Sequence, residues 1–244
     1  MNQFEKIKLF INSLIVYENE IIYIIEKAID DNNSNLMITY FNQNSFNEYY
    51  SNRKFREILQ SNFIIFCDGK GMAYAIKLLF GKRVDNFNAT DLYTKLFEIF
   101  FDKRVPIYVI GGNYDKKILN DKAQNKLFLA GYTDGYFGTK DISSVIEKIK
   151  NSGARIIGIG MGSPLQEVLA SNISSELNNC IILCVGNFFN FHFGFNQRAP
   201  KFLRNSGFEW LYRLYSEPGK LWRRYIIGIP LFILRILKYK LFKQ

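Results

Sequence analysis

RIIGIGMGSPLQE, residues 155–167, reads as a strand that ends in glycines and feeds a helix. The β-branched run over 155–159 fits a strand buried between helix layers, and Gly158, Gly160 and Gly162 bring it to a stop. Ser163 and Pro164 then stand where a helix takes its cap and first turn, with Gln166 and Glu167 completing a capping-box-like start. Such a turn exposes backbone N–H groups at the positive end of the helix dipole, and so predicts a phosphate-bearing substrate. Strand-glycine-helix turns also occur in α/β proteins that bind nothing there, so the spacing alone leaves that alternative open.

The same pattern extends in both directions. Residues 1–35 read as a helical lead-in with room for a strand, closing on a DDNNSN loop at 30–35, followed by an apolar run over 36–41 that ends at Asn42 and a helix over 45–60. A strand over 62–67 turns at Asp68, Gly69 and Gly71 into a helix over 72–80, and a further helix covers 92–101. The strand over 105–110 closes on Gly111 and Gly112, and then come a helix over 114–129, a glycine-aromatic loop over 131–138 and a helix over 142–150. Beyond the central stretch, the helix over 163–177 leads to a strand over 180–185 that stops at Gly186. Strands alternating with helices predict an α/β, Rossmann-like fold, a mostly parallel sheet with helices on both faces. Ligands of such sheets sit beyond the carboxyl ends of the strands, the edge where Asp68, Gly111, Gly160 and Gly186 would gather.

At 244 residues, 48% hydrophobic and 16% aromatic, the chain can bury a substantial core and is not a disordered composition. Cys67, Cys180 and Cys184 form no CxxC pair and lie in apolar runs, the pattern of buried thiols in a reducing compartment. One histidine, His192, and no clustered Cys/His spacing argue against structural zinc. The N-terminal stretch holds Glu5, Glu18 and Glu20 and no small-residue cleavage site, unlike a signal peptide.

Charge divides the chain. Residues 198–244 hold eleven Lys/Arg against Glu209 and Glu217, whereas residues 1–197 hold 21 basic and 20 acidic side chains. The expectation is a near-neutral body over 1–197 and a basic, aromatic, helical C-terminal appendage over 198–244. Within it, YIIGIPLFIL at 225–234 is apolar for only ten residues, about half of what a spanning helix needs. It reads as an interfacial segment, aromatics at headgroup depth and cations toward anionic lipid, with a terminal hairpin packed on the body as the alternative.

Seven pieces then stand in order: Asp68-Gly69 with Gly71; Ala89-Thr90-Asp91-Leu92; Ile110-Gly111-Gly112; Gly131-Tyr132 with Gly135-Tyr136-Phe137; Gly160 with Gly162, Pro164, Gln166 and Glu167; Val185-Gly186 with Phe189; and Arg198-Ala199-Pro200 through Glu209-Trp210, Tyr212-Arg213-Leu214 and Glu217-Pro218 to Trp222-Arg223-Arg224-Tyr225. Across roughly residues 36–230 this series resembles the WecG/TagA/CpsF glycosyltransferase family. The resemblance implies an inverting hexosyl- or N-acetylhexosaminyltransferase that moves a sugar from a UDP-sugar donor to a polyprenyl-diphosphate-linked sugar acceptor. Its products would be capsule, exopolysaccharide or teichoic acid units, and its place the cytoplasmic face of the cell membrane, as a peripheral protein on an anionic surface. It also implies a metal-independent enzyme without a cofactor, and the chain shows no DxD pair. Homo-oligomerisation through the body is compatible with it.

Inverting transfer is one displacement, in which a base takes the acceptor proton while departing UDP gains charge. The family's candidate base falls on Asp68, whose alternative is to cap the next helix. Helix N-termini and the arginines of the appendage, Arg198, Arg204, Arg213, Arg223 and Arg224, would meet the leaving-group charge. Gln166 would bond the sugar or uracil, Asn42 the sugar or acceptor, and Thr90 with Asp91 the nucleotide or donor sugar. For each, capping or packing is the alternative. Gly111, Gly112, Gly160 and Glu167 belong to the turns around the donor, and Tyr136, with Tyr132 and Phe137, would stack on uracil or sugar or else close the core.

The chain departs from the family pattern at four positions. The family usually has Thr where Tyr40 stands beside Thr39, Arg where Asn86 stands, glycine at Ala89, and Phe-Asp where the chain has Phe189-Asn190. One cation and one carboxylate fewer near the donor leave its sugar open, N-acetylmannosamine included. Two other classes fit less well. Nucleic-acid binding, suggested by the net charge of +10, does not match a near-neutral body, and a Rossmann oxidoreductase lacks GxGxxG after its first strand. A non-catalytic member that binds donor, nucleotide or membrane surface only is the remaining alternative.

Overall fold

The structure is a computed structural model and describes residues 3–31, 35–85 and 87–241. Two helices, α1 (Gln3–Asn12) and α2 (Glu18–Asp30), lead into β1 (Leu36–Phe41). Then follow α3 (Gln43–Ser51), α4 (Arg53–Gln60), β2 (Phe63–Cys67), α5 (Lys70–Phe80), α6 (Ala89–Asp102), β3 (Pro106–Gly111), α7 (Lys116–Ala123) and β4 (Phe128–Thr133). The second half holds α8 (Ile142–Ser152), β5 (Ile156–Gly160), α9 (Leu165–Glu176), β6 (Ile181–Cys184) and α10 (Phe188–His192). The chain closes with α11 (Lys201–Ser206), α12 (Glu209–Ser216), α13 (Pro218–Trp222), a π-helical turn (Arg223–Ile227) and α14 (Gly228–Leu241).

The strands form one sheet in the order β2-β1-β6-β5-β3-β4, and every pairing is parallel. Alternation along the strands sends one set of side chains to each face. Ile38, Phe66, Ile107, Val109, Ile156, Ile181 and Leu183 pack with α2, α6, α7 and α10 on one side. On the other, Ile65 and Cys67 meet α1, α3, α4, α5 and α14, while Tyr108, Ile110, Ile157, Ile159 and Ile182 meet α8 and α9. Helices on both faces of a parallel sheet are the architecture the alternation predicts, and all three cysteines are buried free thiols.

Three local readings change. The helix expected over 114–129 ends at Ala123, and the glycine-aromatic loop gives up its first half to β4 at the sheet edge. FLAGYT reads poorly as a strand because an edge strand need not be a continuous β-branched run, and Gly131 is required where the Tyr108 ring lies against the backbone. The helix over 45–60 is two helices, since Asn52 adopts an extended conformation and its side chain accepts the Phe55 N–H to start α4. Ser163 is joined to Pro164 by a cis peptide, and α9 starts at Leu165 without a side-chain cap. The 30–35 loop falls partly, and Asn86 entirely, outside the described residues.

The appendage lies on the body. Phe232, Ile236 and Tyr239 of α14 are buried against α3 and α5, with the Phe46 and Phe232 rings 5.2 Å apart edge to face. The Arg235 guanidinium sits 4.1 Å from the Tyr50 ring centre and donates to Asn47 Oδ1 at 2.8 Å. The outward side of α14, with Ile233, Leu234 and Leu237 interspersed with Lys238, is exposed. Among the described residues no helix is long and apolar enough to cross a membrane.

Candidate active site

The carboxyl ends of β1, β2, β3, β5 and β6 open into a cleft of about 630 Å³, walled on its far side by α11 to α13 and the π-helical turn. Backbone forms much of the floor. A side chain at Gly111 would strike the Gly160 carbonyl at 2.5 Å, and one at Gly160 the Gly186 carbonyl at 2.7 Å, so these strand ends need glycine. Gly111 and Gly112 also hold φ of +130° and +65°. Gly112 and Gly160 line the cleft, whereas Gly111 lies behind them.

Asp68 follows β2 and faces the cleft. Its Oδ1 accepts the Ala89 N–H at 2.8 Å and its Oδ2 the Asn42 side-chain amide at 3.1 Å, which fixes the carboxylate while leaving lone pairs on both oxygens. Asn42 lines the same cleft, yet its side-chain oxygen is occupied in starting α3, accepting from the Asn44 and Ser45 N–H groups. Asn42 therefore caps α3 and borders the cleft at once. Thr90 also lines the cleft in the first turn of α6, and the cap of that helix is Asn88, whose oxygen accepts the Asp91 N–H.

Asp91 faces the appendage. Its Oδ1 accepts from Arg198 at 2.6 Å and Arg204 at 3.3 Å, and its Oδ2 from Asn88 at 2.5 Å. Burial works to raise its pKa, and the Arg198 hydrogen bond and charge, helped by Asn88 and Arg204, outweigh it and hold the carboxyl below its ordinary 3.8. This is a latch between α6 and the start of the appendage. Arg204, Arg213 and Arg224 line the cleft, while Arg198 sits behind them and Arg223 is exposed against Trp222, its guanidinium 5.2 Å from the ring. Among the described residues Arg213 and Arg224 form no ion pair, and each stacks on a ring, Phe191 at 5.9 Å and Tyr225 at 5.7 Å.

The central turn departs from the expectation of open N–H donors. Gln166 and Glu167 are both 0% exposed. Gln166 Oε1 accepts the N–H of Gly162 at 3.2 Å and of Gly186 at 3.0 Å, tying the turn after β5 to the turn after β6, and its own N–H returns to the Gly162 carbonyl. Its Nε2 donates to Glu167 Oε1, which also accepts from Thr39 and Ser163, each hydroxyl at 2.8 Å. Gln166 thus braces the floor, its oxygen and its amide both engaged within the two turns. Burial pushes the Glu167 pKa up against those hydrogen bonds, and Glu167 Oε2 has no partner among the described residues.

The neighbouring residues divide in the same way. Tyr40 turns its hydroxyl to Gly186, with burial and then the nearby Glu167 charge raising its pKa to about 12. Tyr132 and Phe137 join the core, whereas Tyr136 is 80% exposed at the rim of the cleft. Asn190 lines the cleft and accepts from the Tyr114 hydroxyl at 2.8 Å. Sequence reasoning missed Asn88, Tyr40, Lys70, Asn187 and Glu209 as cleft residues. Only Glu209 carried a usable signal, an acidic residue isolated among cations. No group of three or more His, Cys, Asp or Glu side chains suited to a metal ion occurs among the described residues.

What the arrangement provides around one cavity is a fixed carboxylate, a floor built largely of backbone and two guanidinium groups without an ion pair among the described residues. Residues 10–244 match the family model described as Glycosyl transferase WecG/TagA/CpsF family.

Proposed function

The chain belongs to the WecG/TagA/CpsF family of glycosyltransferases, enzymes of cell-surface polysaccharide synthesis, and from that premise we propose that it transfers a sugar with inversion from a UDP-sugar to a polyprenyl-diphosphate-linked sugar acceptor. The acceptor hydroxyl oxygen attacks the anomeric carbon, its proton passes to Asp68, and the bond to the β-phosphate oxygen breaks with its electron pair leaving on UDP. The observation that carries this reading is Asp68 itself, held from both sides by Ala89 and Asn42 yet open to the cleft. A carboxylate so fixed spends no reorganisation in accepting a proton.

Arg204, Arg213 and Arg224 supply the cations for the diphosphate. Thr90, Asn42 and the floor glycines Gly112 and Gly160 border the donor, Gly111 and the Gln166-Glu167 pair shape that floor from behind, and Tyr136 stacks at the rim. Arg198, with Asp91, holds the appendage in place. Arg223, exposed beside Trp222, belongs with the apolar and basic outer side of α14 to a surface that meets anionic lipid at the cytoplasmic face. In this account the body over 1–197 and the appendage over 198–244 complete one site, with no metal taking part.

The test is UDP release from a panel of UDP-sugars, with and without polyprenyl-diphosphate-linked acceptor, with and without EDTA. Acceptor-dependent release from one donor, insensitive to EDTA and reduced roughly 10²–10⁴-fold in Asp68→Asn with UDP affinity kept, is the expected result. Release that survives Asp68→Asn unchanged would remove Asp68 as the base, and binding to vesicles without any release would favour the non-catalytic reading.

A further inference from the structure

Carboxylates around the cleft are engaged, with one exception. Asp68 accepts from Ala89 and Asn42, Asp91 from Arg198, Arg204 and Asn88, and Glu167 from three side chains. Glu209 lines the cleft at the first position of α12, and its carboxylate has no hydrogen bond or ion pair among the described residues. Its placement is set by Gly207, which ends α11 at φ +87° and passes so close to Lys70 that a side chain there would meet the Lys70 Cδ at 3.0 Å. Next to it Trp210 also lines the cleft, its indole 5.9 Å from the Tyr225 ring.

A carboxylate repels phosphate, so a neutral, hydroxyl-bearing part of the substrate belongs at Glu209 and the diphosphate with the guanidinium groups of Arg213 and Arg224. A carboxylate accepts two hydroxyl hydrogen bonds, and a flat indole covers the C–H face of a pyranose ring. On the reading of the cleft as a glycosyl-transfer site, on which this rests, we propose that Glu209 and Trp210 form its sugar-reading wall and that Glu209 selects the sugar by the position of its hydroxyls. Burial, countered by Arg198 and Arg213 and reinforced by Asp68 and Asp91, raises the pKa of Glu209. The sugar is that of the donor or that of the acceptor, and kinetics separate the two.

The experiment uses the full chain on anionic vesicles holding polyprenyl-diphosphate-linked acceptor, with the UDP-sugar that supports turnover, comparing wild type with Glu209→Gln, Glu209→Ala and Trp210→Ala. Losing hydrogen bonds to a charged group predicts a rise of about tenfold or more in KM for one substrate in Glu209→Ala, partly restored in Glu209→Gln, while UDP affinity by calorimetry stays within about twofold. A rise confined to the donor assigns the donor sugar, and one confined to the acceptor assigns the acceptor sugar. A sugar lacking the contacted hydroxyl should lower wild type to the level of Glu209→Ala and cost that variant nothing further. Unchanged KM values for both substrates, or a KM rise matched by lost UDP affinity, would overturn the assignment alone. A wild-type chain that turns over no donor would overturn the glycosyl-transfer reading and this assignment with it.

Discussion

The floor and the far wall of the cleft are built on different principles. The floor is closed on itself: Gln166 bonds two glycine N–H groups, Glu167 collects three donors, and both are sealed from solvent. The wall is cationic and thinly anchored. Among the described side chains of 198–227, Ala199, Leu221 and Tyr225 are buried, α12 buries none, and the Asp91 latch ties the segment to the body. The contrast teaches that the two guanidinium groups without an ion pair among the described residues, Arg213 and Arg224, lie where the chain is thinly anchored, whereas Gln166 and Glu167, bonded inward, fix the shape of the floor.

Breaking the floor should have the largest effect on stability. Gln166→Leu leaves the Gly162 and Gly186 N–H groups without an acceptor, a cost of ~2–4 kcal/mol, and the melting temperature should fall by roughly 5–15 °C. A fall of less than about 2 °C in thermal unfolding would mean that the floor is not braced in this way. Breaking the wall's latch should do less globally and more locally. Asp91 and its partners are partly exposed, so Asp91→Asn is expected to cost about 1 kcal/mol. Tryptic cleavage between Arg198 and Arg213 should nevertheless quicken several-fold, and equal cleavage in mutant and wild type would show that the latch holds nothing.

Acid distinguishes the two regions by the smallest effect. His192, in α10 on the body, rests against Phe97 and Phe188, and burial, with the Lys126 charge adding to it, lowers its pKa from 6.5 to about 4. The unfolded chain therefore takes up this proton first as pH falls, and the stability tied to neutral His192, whole above pH 6.5, is lost progressively toward pH 4. Asp91, held below 3.8, keeps its contribution until the pH falls below that value. Melting temperatures across pH 7 to 4 should decline in wild type and decline less in His192→Phe. Identical slopes would remove His192 from the acid response.

Much of the body was legible because burial between helix layers writes itself as β-branched runs ended by glycine, as at 155–159 and 180–185. β4 was not, since an edge strand needs only one neighbour and Gly131 there answers to the Tyr108 ring from β3. Asp68, Thr90, Asp91 and three of the five arginines were read onto the cleft from their order in the chain. The inward fate of Gln166 was hidden because it depends on Gly186 arriving from the next strand, a meeting that no local pattern encodes. Glu209 stood out in the sequence only as an acid among cations, and that its carboxylate has no hydrogen bond or ion pair among the described residues is visible only in the packed wall.

Hydrogen exchange on the full chain, with and without UDP and anionic vesicles, tests the central claim most directly. The account predicts slow exchange at Gly162, Gly186 and the strands behind them in every condition. Exchange in α12 and α13 should be fast in the free chain and slow by about tenfold or more when UDP and vesicles are present. A wall as protected as the floor in the free chain, or one indifferent to UDP and vesicles, would contradict it.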